Sequence, residues 1–143
     1  MEPLDGKCIL ELGCGNGELW NANRDRIPAD ASICLSDISE GMIRDVEENL
    51  KSVPGSFTFE VFDCRQIPKP EESFHIVAAN HLLFYLSNLD GVLDQVQRIL
   101  KPEGVFLLQH LRFGPYEGDQ PISKGIRFQD RSFRSKFIRC VRT

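Results

Sequence analysis

ILELGCGNGELW, residues 9–20, places Gly13, Gly15 and Gly17 at alternate positions directly after an apolar run. Glycine weakens strands and helices by about 0.5–1 kcal/mol relative to alanine. Three glycines in this setting mark a sharp turn that something must approach closely. An apolar run that ends in such a turn reads as a buried strand leading into a helix.

The same alternation continues outward along the chain. KCILEL (7–12) is the first strand candidate, and ELWNANRDRI (18–27) reads as a helix that ends near Pro28. SICLSDI (32–38) is a second buried strand. Ser39 can cap a helix whose apolar face is Met42, Ile43, Val46 and Leu50, stopped by Pro54-Gly55. FTFEVF (57–62) alternates Phe57, Phe59 and Val61 against Thr58 and Glu60, a third strand, and FHIVAAN (74–80) is a fourth. Leu89, Val92, Leu93, Val96, Ile99 and Leu100 form one stripe of a 3.6-residue period, with Ser87 or Asn88 as its cap. KPEG (101–104) breaks that helix before a fifth strand, VFLLQHL (105–111). Strands alternating with helices predict an α/β fold, a doubly wound, mostly parallel sheet with helices on both faces. Residues 1–121 read as one core, and 122–143 as a separate basic segment. Within that segment Phe133, Phe137, Cys140 and Val141 fit a helix stripe, while FIRCV fits a strand equally well.

Composition narrows the function classes. A chain of 143 residues with 41% hydrophobic and 27% charged residues suits one soluble domain with a real core. No apolar run is long enough to span a membrane. MEPLDGKCIL lacks the basic and long apolar regions of a secretory signal. Five cysteines without a CxxC pair predict reduced thiols in a cytoplasmic setting, with no metal site. The net charge of -4 is uneven. Residues 122–143 hold seven basic residues against Asp130, a charge of +6, which leaves -10 for the rest. No aromatic-basic motif accompanies the tail, so a solvated segment is favoured over a nucleic-acid arm.

The chemistry gathers at the strand ends. In a doubly wound sheet, ligands bind beyond the carboxyl ends of the strands, where the strand order reverses. The glycine turn lets a ligand lie against main-chain N–H groups at the positive start of a helix. Asp37 ends the second strand 20 residues after Gly17, the spacing of an acid that holds a ribose diol. Asp63 ends the third strand, and Asn80 and His81 end the fourth. Four successive strand ends thus carry groups suited to a nucleoside.

These motifs, in this order, resemble the class I S-adenosylmethionine-dependent methyltransferases of the small-molecule type, with a Rossmann-like core. LELGCGNG is similar to the E/D-x-G-x-G-x-G first motif, and LSDIS followed by GM to the second. FDCRQIP, FHIVAANHLLFYL and RILKPEGVFLL are similar to the later ones, so the resemblance covers residues 7–111. It implies S-adenosyl-L-methionine as cofactor and a small-molecule methyl acceptor as partner. By the resemblance, Glu11 and the backbone of Gly13, Cys14, Gly15 and Gly17 hold the methionine portion. Asp37 holds the ribose, Ile38 lies on the base, and Met42 is a further candidate at a position that core packing also fits. Asp63 and Cys64 meet the adenine edge, and Asn80 and His81 line the floor near the sulfonium. No catalytic residue is assigned: a base is needed only if the acceptor must lose a proton, and His81 and His110, near strand ends, could serve, although a lone histidine is more often a packing or surface residue. Phe84 and Tyr85 suit helix core better than the acceptor.

The chain departs from the family at both ends. Set against the resemblance, the sequence is expected to lack the helices that usually precede the first strand, and to fit the family's usual antiparallel pair poorly into the 32 residues after Leu111. A bare fifth-strand edge invites self-association. The tail, as strand or helix, or a second copy of the chain, is expected to cover it. Competing readings are a S-adenosylmethionine-binding module or fragment without turnover that needs a partner chain to complete its site, a nicotinamide-dependent oxidoreductase, and a nucleic-acid methyltransferase. G-x-G-x-G in place of G-x-G-x-x-G weighs against the second, and the absence of D/N-P-P-Y and Pro-Cys motifs against the third.

Overall fold

The computed structural model describes residues 6–80, 89–110 and 137–142. Among the described residues, six strands form one sheet: β1 (Cys8–Leu12), β2 (Ser32–Asp37), β3 (Ser56–Val61), β4 (Phe74–Asn80), β5 (Leu100–His110) and β6 (Phe137–Arg142). Their order is β3-β2-β1-β4-β5-β6, and every pairing is parallel. Helices α1 (Glu18–Ala22), α2 (Glu40–Asn49) and α3 (Leu89–Ile99) connect them. The chain winds outward from β1 to β3, then returns to start again at β4. The reversal therefore lies between β1 and β4, where Leu12 is in register with Ala79.

Alternation along the strands builds two core layers. Leu10, Leu12, Val77 and Ala79 join Val92, Leu93, Val96 and Ile99 of α3 in one layer. Ile9, Ile33, Leu35 and Ile76 pack with Trp20, Ile43, Val46 and Leu50 in the other. Successive side chains of a strand face opposite ways, so Glu11 shares the face of Ile9, under α1. The α2 helix begins as its sequence indicates: Ser39 Oγ accepts the Met42 N–H at 3.3 Å. Ile43, Val46 and Leu50 are buried, while Met42 is exposed.

Two elements differ from their sequence expectations, and the tail, left open between strand and helix, takes the strand. The first helix stops at Ala22 and gives way to a 3-10 turn at Arg24–Arg26. Asn23 ends it by donating its side-chain N–H to Leu19 O at 2.7 Å, a local bond that competes with helix continuation. KPEG does not separate α3 from a later strand. Leu100 already pairs with Phe74, Val105 next pairs with Ile76, and the intervening residues bulge out of the ladder. Glu103 takes φ 63° there, and a Cβ on Gly104 would lie 2.7 Å from Lys101 O. The tail supplies β6 beside β5, so a strand covers that edge in parallel where the family usually has an antiparallel pair.

At the opposite end from the glycine turn, His75 Nδ1 accepts the Cys8 N–H at 2.9 Å. Only a neutral imidazole can accept there. Burial first, and then the Lys101 and Lys7 charges, hold His75 below its ordinary value of 6.5. The unfolded chain therefore binds a proton that the folded chain refuses, and stability is lost as the pH falls below 6.5. Melting temperature should decline from pH 7 to pH 5, and His75→Gln should flatten that decline. An equal decline in the variant would assign the effect to other groups.

Candidate functional site

The turn after β1 is built largely from its own backbone. Gly13, Gly15 and Gly17 take φ values of 67°, 56° and 81°, left-handed conformations that favour glycine. Their surroundings differ. A Cβ on Gly17 would stand 2.4 Å from Val46 Cγ2, so this glycine exists to let α1 sit on α2. A Cβ on Gly15 would meet no atom within 4 Å. Gly15 is therefore the glycine whose missing side chain leaves space open above the backbone.

The N–H groups of the turn do not all face that space. Cys14 N–H binds Ser36 O at 2.9 Å, and Gly17 N–H binds Cys14 O at 3.1 Å. Gly15 N–H donates to Asp37 Oδ2 at 3.2 Å. These three N–H groups do not stand free: each is bonded within the protein. Nor is the following helix a strong dipole, because α1 has only five residues. What the turn offers is close approach, with a carboxylate beside it.

That carboxylate is Asp37, half-buried at the end of β2. Its Oδ1 accepts the Ser39 N–H at 2.9 Å while Oδ2 holds Gly15. Two backbone donors thus fix its orientation. Each oxygen keeps further acceptor capacity for a hydroxyl pair. Ile38 follows with 65% of its surface exposed and Met42 with 39%, an apolar ledge next to the acid. Phe62 N–H binds Asp37 O at 3.2 Å, which brings the end of β3 alongside.

Asp63 stands there, but Arg65 engages it. The guanidinium Nε lies 3.0 Å from both carboxylate oxygens and Nη2 2.5 Å from Oδ2. The Arg65 side chain and backbone N–H hold Asp63 below its ordinary range. Cys64 is buried next to it, and burial raises its thiol, with the Asp63 charge adding to the effect. Cys14 is pushed up to about 12, first by burial and then by the Glu11 and Asp37 charges. Both thiols stay protonated near neutral pH and act as small packing groups.

Glu11 is buried, and Trp20 Nε1 donates to its Oε2 at 2.6 Å. Ser36 Oγ donates to the Glu11 carbonyl at 2.7 Å. The sequence reading missed Trp20; the one signal available was a lone tryptophan just past the glycines. Asn49 also escaped it: its side chain reaches back from the end of α2 to Asn16 O at 3.0 Å. Asn80 ends β4 across the crevice from the turn, in register with Gln109. His81, Phe84 and Tyr85, and the caps proposed at Ser87 and Asn88, lie outside the described residues.

The glycine turn, the acid at the end of the second strand and the switch point between β1 and β4 occur together in a chain whose residues 9–104 match the methyltransferase domain family. The chain belongs to that family. Its relatives include the ubiquinone/menaquinone biosynthesis C-methyltransferase UbiE of Hydrogenovibrio crunogenus, 27% identical over 105 residues, 72% of this chain and 41% of the relative. The malonyl-[acyl-carrier protein] O-methyltransferase of Geobacter sulfurreducens is 30% identical over 105 residues, 73% of this chain and 39% of the relative. Among solved structures, the PH0226 protein of Pyrococcus horikoshii superposes with a TM-score of 0.63 at 30% identity, covering 71% of this chain and 48% of that one. The chain thus spans less than half the length of these relatives. The likeness confirms the Rossmann-like methyltransferase core. Among the described residues, no helix is long and apolar enough to cross a membrane.

Proposed function

We propose that the crevice between the glycine turn and the end of β2 binds S-adenosyl-L-methionine, and that the protein transfers its methyl group to a small-molecule acceptor. The observation that carries this reading is the pairing of open space over Gly15 with a carboxylate, Asp37, oriented beside it by two backbone N–H groups. Such a pair fits a ribose lying against main chain. In this reading Asp37 accepts from the ribose hydroxyls, and Ile38 and Met42 cover one face of the base. Asp63 and Cys64 meet the base edge once the exposed Arg65 side chain swings aside. Glu11, held by Trp20, and the backbone from Gly13 to Gly17 take the methionine portion in this reading, and the resemblance adds Asn80 and His81 near the sulfonium.

When bound, the cofactor supplies a methyl carbon already activated by positive sulfur. The chain's residues have to bind, align and exclude water, which is enough for large acceleration of an in-line displacement. No residue is assigned as a base. The names of two relatives, a ubiquinone/menaquinone biosynthesis C-methyltransferase and a malonyl-[acyl-carrier protein] O-methyltransferase, support transfer to a carbon or an oxygen of the acceptor. The test is transfer from methyl-labelled S-adenosyl-L-methionine to quinol and acyl-thioester acceptors. Labelled product is expected. Cofactor binding with no transfer to any acceptor would reduce the protein to a binding module.

A further inference from the structure

The segment after β3, which carries Asp63 and Cys64, is held from behind by two side chains of α3. Arg98 Nη1 donates to Lys69 O at 2.6 Å and Nη2 to Ile67 O at 2.8 Å. Gln95 Oε1 accepts the Ile67 N–H at 3.1 Å and Arg98 Nη2 at 3.0 Å. The two residues are i and i+3 on one helix face, so they act as a unit. Both are half-buried, which shields these bonds from water.

The segment is tied down along its length. At its start, Phe62 N–H is bound to Asp37 O, and Gln66 N–H closes a turn on Asp63 O at 2.9 Å. In the middle, Cys64 and Ile67 are buried in the same layer as Val92, Leu93 and Val96 of α3. Toward its end, Lys69 pairs with Glu60 of β3. Remove the α3 hydrogen bonds, and the segment keeps its attachment to β3 and its packing on α3 but loses the bonds that fix its backbone at Ile67 and Lys69.

We propose that Gln95 and Arg98 are positioning residues for the base of the cofactor: they fix the Asp63–Cys64 turn and thereby set the preference for adenine. This rests on the S-adenosyl-L-methionine reading above. Neither side chain touches the base. They act through the backbone at Ile67 and Lys69. A carboxylate at the base edge accepts from the amino group of adenine but meets a carbonyl in hypoxanthine. Its placement is therefore read directly by comparing the two bases.

The experiment is calorimetric titration of the full chain with S-adenosylhomocysteine and with S-inosylhomocysteine, for wild type, Arg98→Met, Arg98→Lys and Gln95→Leu. Wild type should prefer the adenosyl form by about tenfold or more, the worth of a hydrogen bond to a charged group. Arg98→Met should reduce that preference several-fold, Gln95→Leu should reduce it less, and Arg98→Lys, which keeps one donor, should restore part of it. A loss of folded protein lowers both apparent affinities equally and leaves the ratio untouched. Gln95→Leu leaves the two carbonyl contacts of Arg98 in place, so it serves if Arg98→Met folds poorly. Wild-type preference in both Arg98→Met and Gln95→Leu would overturn the proposal while leaving the cofactor reading intact. Wild type that fails to bind S-adenosylhomocysteine, or fails to prefer it, would overturn the cofactor or adenine reading itself and the proposal with it.

Discussion

Gly15→Val is expected to abolish S-adenosyl-L-methionine binding while the protein still folds, and Gly17→Ala to act chiefly on stability. The two glycines are two residues apart and both lie at positive φ, 56° and 81°. A left-handed backbone costs a side-chain-bearing residue about 1–2 kcal/mol at either place. The difference is what surrounds them. At Gly15 the new side chain meets no protein atom within 4 Å and fills the space proposed for the ligand. At Gly17 it drives into Val46 Cγ2 at 2.4 Å, deep in the packing of α1 on α2. Overpacking a core adds about 1–3 kcal/mol. Gly17→Ala should therefore lower the melting temperature by about 4–20 °C, given about 2–4 °C per kcal/mol in a domain of this size. Calorimetry of ligand binding and of unfolding on both variants checks the pair. Normal binding by soluble Gly15→Val would show that the turn serves the fold alone.

Asp37→Ala is the second large effect, and it should strike two quantities at once. The variant loses the acceptor proposed for the ribose, worth about 1.5–3 kcal/mol of binding. It also strips the partners from Gly15 N–H and Ser39 N–H, which tie the glycine turn to β2 and hold the entry to α2. Losing a cap of this kind costs about 0.5–2 kcal/mol of stability. Asp37→Asn separates the two. Its side-chain oxygen can still accept one of the backbone N–H groups, so stability should recover in large part, while affinity should stay low because the charge is gone. A titration in which Asp37→Ala binds as wild type would remove the ribose assignment.

The strands were legible because buried parallel strands are short apolar runs between breakers, and CILEL, SICLSD and FHIVAAN are bounded in that way. Leu89–Ile99 was legible from a single apolar stripe. The failures share one cause, a local preference overridden by a particular contact. Asn23 stops α1 early by bonding back to Leu19 O. KPEG, which reads as a break, is absorbed as a bulge because Leu100 is already opposite Phe74. The tail resisted reading because FIRCV suits either state, and only a neighbouring strand edge decides between them.

For the site, residue types at strand ends could be read, but their partners could not. Asp37 was visible from its distance to Gly17, yet nothing in the sequence pairs it with Gly15 N–H. Asp63 was visible too, but not its capture by Arg65. Arg98 lies 31 residues from Ile67 and has no pattern of its own; only the fold sets its guanidinium against that carbonyl. These bonds between distant backbone and side-chain atoms are what tertiary structure adds to a motif.

The central claim is that the crevice beside Gly15 and Asp37 takes S-adenosyl-L-methionine. Its most direct test is calorimetric titration of the full chain with S-adenosyl-L-methionine and, separately, with NADH. A saturable isotherm of one cofactor per chain for S-adenosyl-L-methionine, with no heat of binding for NADH, is the predicted result. Saturation by NADH, or no binding of S-adenosyl-L-methionine by folded protein, would contradict it.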